Sequence, residues 1–265
     1  MISASELEDH VTNSIKHWCG SAPPTKDIYN PYANDNVRLT EYIISVLQDP
    51  VEESVHIDST QNLISAEGLD GSGKTSAVNT ISETSPENVC LTTEPNDTAW
   101  TGNLVRNAIG TEGVHPIAVL YFFMLDHKVH VQTVVKPQLQ HNNVVVSDRY
   151  LDSRIAYQSV SLSDYFETKT EAIRTLLYMH QNVEWSLFPE KTLFLDASAT
   201  VVMERISQNR NKSETEIFEK AQFMENVYNS YNTLISLDTS ERFIRIDAEK
   251  PINTVQNNIQ ELGLL

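Results

Sequence analysis

A glycine-rich loop is the clearest chemical feature of the sequence. It matches the pattern GxxxxGK[ST] in full, with the residues Gly68, Leu69, Asp70, Gly71, Ser72, Gly73, Lys74 and Thr75. The backbone N–H groups of such a loop turn inward around phosphate oxygens, and the helix that follows adds the positive end of its dipole. The pattern predicts a nucleoside triphosphate site in which Lys74 reaches the β- and γ-phosphates and Thr75 ligates Mg²⁺.

A second polar feature ends the apolar run at residues 144–146. Asp148 stands there, and an acid at the end of a buried strand near a phosphate loop is typical of a residue that holds Mg²⁺, directly or through water. An ordinary surface aspartate is the alternative. The nearest match to the NKxD tetrad of GTPases, at residues 211–214, ends in Glu214 and does not follow a strand. This argues against a GTPase.

Alternating strand and helix patterns surround these residues. Five short apolar runs read as buried strands, at residues 63–66, 89–92, 144–146, 192–195 and 243–246. Helical patterns separate them, the clearest at residues 215–235. The alternation predicts an α/β fold of three layers, the P-loop NTPase fold, in which a five-stranded parallel sheet carries helices on both faces. Ligands of such sheets bind at the carboxyl ends of the strands.

The chain divides near residue 60. Residues 1–60 hold two helical patterns, at about 7–18 and 36–48, and an acidic stretch at 52–60. They predict an N-terminal helical extension with an acidic linker, whose role the sequence does not indicate. Residues 61–265 hold all five strand runs and form the predicted P-loop domain.

The charge and composition exclude several classes of protein. Nineteen Lys and Arg against 36 Asp and Glu give a net charge of −17, which disfavours nucleic-acid polymers and anionic membranes as partners. Such acidity resembles that of proteins from salt-accumulating halophiles, and an ordinary acidic protein is the alternative. The sequence shows no signal peptide and no apolar run of roughly 18 residues. Cys19 and Cys90 form no disulfide framework. These features predict a cytoplasmic location.

Five segments resemble the thymidylate kinase family of nucleoside monophosphate kinases, in its order and spacing. They are residues 66–75, Thr93-Glu94-Pro95, residues 120–130, Asp148-Arg149-Tyr150 with Ala156-Tyr157-Gln158, and Ile246-Asp247-Ala248. The resemblance covers residues 61–265. It implies phosphoryl transfer from ATP to dTMP with Mg²⁺, giving dTDP and ADP. Members of the family are often dimers, so the resemblance also implies a homodimer.

The resemblance assigns roles to several side chains. Arg149 and Arg106 match the residues that bind the acceptor phosphate, and Asp70 matches an acid near its 3′-hydroxyl and Mg²⁺. Phe123 matches the aromatic residue that stacks on thymine. Tyr157 matches a residue whose ring occupies the space of a ribose 2′-hydroxyl, which implies selection of deoxynucleotides. The alternatives are solvated arginines on helix faces and aromatic side chains of the core.

The catalytic cation is expected in the lid of the family, because the variable positions of the phosphate loop hold no arginine. Arg210 falls in the lid, and Arg205, a further residue of the ATP site, is the alternative. Three residues that bear on base specificity depart from the family pattern. Thr93 stands where an arginine is usual before Glu94-Pro95. His127 stands where an arginine is usual, and Arg154 stands where Asn or Thr is usual.

These departures leave open a related kinase for another deoxynucleoside monophosphate. An ATP-binding regulator or pseudokinase is the alternative from a different class. A metal site at His127 and His130 is disfavoured, because the sequence shows no third ligand.

Overall fold

The computed structural model describes residues 59–264 except 86–87, 110, 184–185 and 208–213, together with the single positions Glu6, Asp9 and Val46. For residues 207 and 214–219 it describes the backbone alone. The predicted helical patterns and linker of residues 1–60 lie almost wholly outside the described residues, and so does Arg210. The division of the chain near residue 60 therefore stays a prediction.

The sheet contains five strands, and every pairing in it is parallel. The strands are β1 (Ser59–Glu67), β2 (Val89–Thr93), β3 (Val144–Asp148), β4 (Phe188–Asp196) and β5 (Phe243–Asp247). Their order across the sheet is β2-β3-β1-β4-β5. Each contains one of the five apolar runs, so the prediction of a five-stranded parallel sheet is confirmed.

Helices connect the strands and cover both faces of the sheet. Within the described residues they are α1 (Lys74–Thr84), α2 (Trp100–Ile109), α3 (Pro116–His130), α4 (Lys136–Gln140), α5 (Leu151–Ser161), α6 (Lys169–Gln181), α7 (Ala199–Ser207), α8 (Glu214–Leu237) and α9 (Ile252–Glu261). A π-helical turn, Val131–Val135, joins α3 to α4, and a short 3₁₀ turn, Ser163–Tyr165, follows α5. Helix α8 confirms the clearest of the predicted helical patterns, at residues 215–235. None of these helices combines the length and apolar character needed to cross a membrane.

Two apolar cores lie on the two faces of the sheet because successive strand residues point to opposite sides. On β1 and β3, Leu63 and Val145 belong to the core that includes residues of α2, α3 and α6. Their neighbours Ile64 and Val146 belong to the core that includes residues of α1, α8 and α9. Each such buried side chain stabilises the fold by about 1.5–3 kcal/mol. The three-layer arrangement follows from this two-sided burial.

The strand register brings the polar segments of the sequence together. Ala66 at the end of β1 lies opposite Asp148 of β3, and Asp148 in turn lies opposite Thr93 of β2. The carboxyl ends of three adjacent strands therefore meet at one edge of the sheet. The phosphate loop, Asp148 and Glu94 follow these ends directly, so the register alone makes them neighbours.

Candidate active site

The phosphate loop has the backbone that its glycines predict. Gly68 has a φ of 138° and Gly73 a φ of 103°, values that favour glycine. A Cβ atom at Gly68 would lie 2.8 Å from the carbonyl oxygen of Leu195, so this position also lacks room for a side chain. The Ser72 hydroxyl is buried and has no hydrogen-bond partner among the described residues. An unpaired buried hydroxyl beside inward-turned amides fits a loop that binds phosphate oxygens.

Lys74 begins α1 and is buried, with 7% of its surface exposed. Its Nζ atom donates to the carbonyl oxygen of Leu69 at 2.7 Å, which holds the ammonium group over the loop. Burial, followed by repulsion from Arg149, lowers the pKa of Lys74 to about 7. A phosphate anion at the loop would restore the charged form, because an adjacent opposite charge favours ionisation.

Thr75 and Asp148, the two predicted magnesium ligands, lie side by side in the structure. The Thr75 hydroxyl donates to Asp148 Oδ2 at 2.5 Å, across the boundary between α1 and β3. A hydroxyl and a carboxylate are hard oxygen ligands of the kind that Mg²⁺ binds, with water and nucleotide phosphates as its other ligands. Within the described part of the chain, no cluster of three His, Cys, Asp or Glu side chains could hold a metal ion. The hydroxyl and carboxylate of this pair fit a magnesium ion whose other ligands are water and phosphate oxygens.

Arg149 lies at the centre of the site and reaches back to the phosphate loop. Its guanidinium group donates to Gly68 O at 3.3 Å, to Ser153 Oγ at 2.9 Å and to Asp70 Oδ1 at 2.6 Å. The same group lies 5.1 Å from the ring centre of Tyr157. The Arg149 side chain is 17% exposed, so one cation is held at the edge of the loop with access to solvent.

The buried carboxyl group of Glu67 is linked to Arg149 through the Ser153 hydroxyl. Glu67 accepts a hydrogen bond from the Tyr150 backbone at 2.8 Å, and its other oxygen contacts the hydroxyls of Ser153 and Tyr231. Ser153 is the same residue that accepts from Arg149. Burial, followed by the neighbouring charge of Asp152, raises the pKa of Glu67 to about 8, which favours its protonated form at neutral pH. Sequence reasoning missed this residue. Its position at the end of an apolar run could have indicated a functional acid, because a buried carboxyl group needs charged or hydrogen-bonding partners.

A second buried acid, Glu94, organises the residues that depart from the family pattern. The Nδ1 atoms of His127 and His130 lie 2.6 and 2.8 Å from Glu94 Oε1. Arg154 Nη2 donates to Glu94 Oε2 at 2.7 Å. The expected environment of His127 was the base edge, next to Asp126. The structure instead pairs it with Glu94, while Asp126 accepts from Thr101 at 2.6 Å. These contacts engage both histidines with one carboxylate.

The other described residues that were predicted for the site lie on three separate helices, α2, α3 and α7. Arg106 on α2 donates to Asp97 at 2.5 Å with about half of its side chain exposed. Arg205 on α7 donates to Gly71 O at 3.4 Å and to Ala248 O at 2.8 Å, so it does lie beside the phosphate loop. Phe123 on α3 is half-buried and stands four residues before His127. Residues at this spacing share a helix face, which places Phe123 and His127 on one side of α3.

The fold and this site define a nucleotide-binding α/β protein. Its phosphate loop lies beside the acid Asp148 and is bound by Arg149. The sequence model described as thymidylate kinase matches residues 66–259. This match spans most of the chain and includes the loop, β3 and α5. The chain belongs to the thymidylate kinase family.

Similar proteins support the same assignment. A probable thymidylate kinase of Methanosarcina mazei is 36% identical over 201 residues, which cover 74% of this chain and 92% of that protein. A probable thymidylate kinase of Halobacterium salinarum is 39% identical over 186 residues, or 70% and 87% of the two chains. A probable thymidylate kinase of Natronomonas pharaonis is 37% identical over 194 residues, or 73% and 92%.

Proposed function

We propose that the protein transfers the γ-phosphoryl group of ATP to dTMP and produces dTDP and ADP. The bond between the γ-phosphorus and the β,γ-bridging oxygen breaks, and a bond from the γ-phosphorus to a phosphate oxygen of dTMP forms. The observation that carries the proposal is the position of Arg149, which joins Gly68 and Asp70 of the phosphate loop to Tyr157 of α5. A cation there can hold an acceptor phosphate beside a bound triphosphate.

The charges of the site suit a reaction between two anions. Lys74 would neutralise the β- and γ-phosphates, while Arg149 and Arg106 would bind the acceptor phosphate through their planar guanidinium groups. Mg²⁺, when bound with ATP, supplies further charge neutralisation at the phosphates. Thr75 and Asp148 would hold it. No covalent intermediate on the protein is needed, because positioning and charge neutralisation supply the catalysis.

The choice of sugar and base would depend on four other side chains. Phe123 would stack on the base, which gives affinity but little selection among bases. The ring of Tyr157, fixed beneath Arg149, would crowd a 2′-hydroxyl and so exclude ribonucleotides. Arg154 can only donate hydrogen bonds, so it would favour the carbonyl oxygens of thymine and uracil over the amino group of cytosine. His127 would be the second polar group near the base edge if its position follows the family resemblance.

The decisive experiment measures ADP release with Mg-ATP and each of eight nucleoside monophosphates. We expect dTMP to give the highest kcat/KM, dUMP the second highest, and dCMP, dGMP and the ribonucleotides much lower values. The Lys74→Ala variant controls for a contaminating kinase. Comparison of dTMP, dUMP, dCMP and dGMP at high and low salt would separate base selection from electrostatic effects. A preference for dCMP or a purine would contradict the thymidylate assignment but leave the kinase assignment intact.

A kinase for another deoxynucleoside monophosphate is the second candidate, because His127 and Arg154 are unusual for the family. The same panel identifies it directly. ATP turnover that did not depend on any acceptor would instead favour a nucleotide-binding regulator. The homodimer and the cytoplasmic location stay predictions. Light scattering coupled to size-exclusion chromatography tests the first of these.

A further inference from the structure

Three hydrogen bonds hold the left-handed backbone of Arg149. Its φ is 69°, a conformation that is unfavourable for a residue with a Cβ atom. The Arg149 N–H donates to Ala66 O at 3.0 Å, and its carbonyl oxygen accepts from the Ser147 hydroxyl at 2.6 Å. The next N–H along the chain, that of Tyr150, donates to Glu67 Oε1 at 2.8 Å. Glu67 therefore fixes the backbone on the carboxyl side of the strained residue.

The same carboxyl group also reaches the side chain of Arg149. Its second oxygen, Oε2, accepts from the hydroxyls of Ser153 and Tyr231, the latter at 3.2 Å. The Ser153 hydroxyl accepts in turn from Arg149 Nη1 at 2.9 Å. A hydroxyl has one hydrogen and two lone pairs, so Ser153 can accept from Arg149 whether Glu67 is ionised or protonated. This link between Glu67 and Arg149 therefore does not depend on the proton of Glu67.

The two ends of the Arg149 guanidinium group are held by different kinds of partner. Nη1 donates to Gly68 O at 3.3 Å and to the buried hydroxyl of Ser153. Nη2 donates to Asp70 at 2.6 Å and to the Tyr157 hydroxyl at 3.4 Å, and the Asp70 side chain is 53% exposed. An ion pair with an exposed carboxylate contributes little stability, so a phosphate group can replace it. Nη1 is thus the anchored end, and Nη2 is the end that can bind a ligand.

We propose that Glu67 is a positioning residue that fixes the backbone and the Nη1 end of Arg149, so that the Nη2 end is presented to the acceptor phosphate. Glu67 and Ser153 are both buried, so they would act through Arg149 and not on the substrate itself. A guanidinium group binds phosphate oxygens in a defined plane, and a small displacement of such a group is costly for the reaction. The proposal rests on the proposed function, because it concerns the acceptor phosphate of that reaction.

The variant Ser153→Ala tests the link to the side chain. It removes the hydroxyl between Glu67 and Nη1 of Arg149 but leaves the bond from the Tyr150 N–H to Glu67. We expect kcat/KM for dTMP to fall on the order of ten- to a hundredfold, with the KM of ATP unchanged. Ser153→Thr keeps the hydroxyl, so we expect it to restore most of the loss. Wild-type kcat/KM for dTMP in Ser153→Ala would overturn the proposal.

The matched control is Ser159→Ala. Ser159 is a buried serine of the same helix, and its hydroxyl lies 2.9 Å from Ala156 O and 3.1 Å from Ser230 Oγ of α8. Within the described part of the chain it forms no hydrogen bond with Arg149. We expect both variants to lower Tm, but only Ser153→Ala to lower kcat/KM for dTMP. An equal loss of kcat/KM in the two variants would show that the packing of α5 against α8 is responsible, and the inference would be wrong.

The variants Glu67→Leu and Glu67→Gln test the carboxyl group. Leucine has a similar size but cannot accept from the Tyr150 N–H or bind the Ser153 hydroxyl, whereas glutamine can do both. We therefore expect Glu67→Leu to lose more kcat/KM for dTMP than Ser153→Ala, and Glu67→Gln to lose less. Wild-type kcat/KM in a folded Glu67→Leu would contradict the proposal. If Glu67→Leu does not fold, the comparison of Ser153→Ala with Ser159→Ala decides alone.

A measurement without substrate separates this inference from the proposed function. If the wild-type protein does not phosphorylate dTMP, the proposed function has failed, but the anchoring of Arg149 can still be observed. In NMR spectra of the full chain labelled with ¹⁵N-arginine, a fixed guanidinium group gives separate Nη1 and Nη2 signals, and a freely rotating one gives an averaged signal. We expect separate Arg149 signals in the wild type and in Ser159→Ala, and an averaged signal in Ser153→Ala. Assignment uses Arg149→Lys. An averaged signal in the wild type would show that Arg149 is not anchored.

Discussion

Arg149 binds Asp70 at 2.6 Å from a left-handed backbone with a φ of 69°. Few residues other than glycine adopt this conformation, which costs about 1–2 kcal/mol for a side chain with a Cβ atom. The Arg149 N–H donates to Ala66 O at 3.0 Å, and this bond joins the end of β3 to the end of β1. The fold therefore accepts local strain where it aims a guanidinium group at the phosphate loop.

Because of this strain, we expect the variants Arg149→Gly and Arg149→Ala to differ in stability. Both lack the guanidinium group, and we expect both to lose at least about 10²-fold in kcat/KM with dTMP. Glycine relieves the left-handed backbone and alanine does not, so Arg149→Gly should be more stable than Arg149→Ala by about 1 kcal/mol. Urea unfolding measures the difference. In an ordinary helix alanine is the more stable residue, and that order here would show that the backbone is unstrained.

Lys74 should be essential for turnover but not for folding. Its ammonium group contacts the carbonyl oxygen of Leu69, and Lys74 belongs to neither apolar core. We expect Lys74→Ala to lower kcat by about 10²–10³-fold or more while Tm changes little. Lys250→Ala is the matched control, because Lys250 is exposed and pairs only loosely with Asp247 at 3.6 Å. Near wild-type kcat in Lys74→Ala would show that the loop does not serve ATP as proposed.

The buried Glu67 should make stability depend on pH in a defined window. Burial, followed by Asp152, raises its pKa from an ordinary 4.5 to about 8. Between these values the folded state keeps a proton that the unfolded state has lost, so stability falls as pH rises through the window. Gln at this position mimics the protonated acid and cannot ionise. We therefore expect the Tm of Glu67→Gln, relative to wild type, to rise from pH 5 to pH 8.

Asp126→Asn is the control for this pH dependence. Burial raises the pKa of Asp126 from 3.8 to about 6, so its effect has the same sign but is complete near pH 6. Relative to wild type, Asp126→Asn should change little between pH 7 and pH 8.5. A Glu67→Gln curve parallel to that of wild type across the whole range would show that Glu67 is ionised in the folded state at pH 5.

The fold and part of the site are predictable from sequence because they depend on local patterns. The five apolar runs predict the strands, and the phosphate-loop and strand-end motifs single out Thr75 and Asp148. The strand order that makes β1 and β3 neighbours was not predicted. The contacts of the buried acids Glu67 and Glu94 were not predicted, because their partners are distant in the sequence. The partners of Glu94 come from α3 and α5, 33 to 60 positions away, and Tyr231 reaches Glu67 from α8, 164 positions away. No local pattern indicates such contacts.

The same reasoning explains the outcome for the unusual base-site residues. The sequence shows that His127 and Arg154 depart from the family, and the resemblance places both near the base. It does not show that they share one carboxylate, because only the packing of α3 against α5 brings them to Glu94. The shared carboxylate is therefore a property of the folded structure.

Residues 1–58 should contribute stability more than catalysis. The described residue Val46 is helical, 7% exposed and packed in the core that contains Leu63 and Leu104. A deletion that ends at residue 58 spares β1 and removes this valine, so we expect a loss of at least about 1.5–3 kcal/mol with kcat retained. Urea unfolding and steady-state kinetics measure the two quantities. Val46→Ala in the full chain isolates the contribution of one side chain, and loss of kcat on truncation would assign the segment to the active site.

Arg210 is expected to supply the cation that stabilises the transferring phosphoryl group. It lies outside the described residues, between α7 and α8, where the lid of the family falls. The loop positions Leu69, Asp70, Gly71 and Ser72 contain no arginine, so the developing charge needs a cation from elsewhere. A lid arginine in this role is worth about 10³–10⁵ in kcat. We expect Arg210→Ala to lower kcat by a factor in this range with little change in the KM of dTMP, because the interaction forms only in the transition state.

Arg205 is the matched comparison for Arg210. Its guanidinium group is already held by the carbonyl oxygens of Gly71 and Ala248, which suits a role in forming the ATP site. We therefore expect Arg205→Ala mainly to raise the KM of ATP, with a smaller effect on kcat. Single-turnover rates at saturating ATP and dTMP separate the two effects. A steep loss of kcat in Arg205→Ala together with normal kcat in Arg210→Ala would transfer the catalytic role to Arg205, whose position beside Gly71 brings it close to the phosphates of bound ATP.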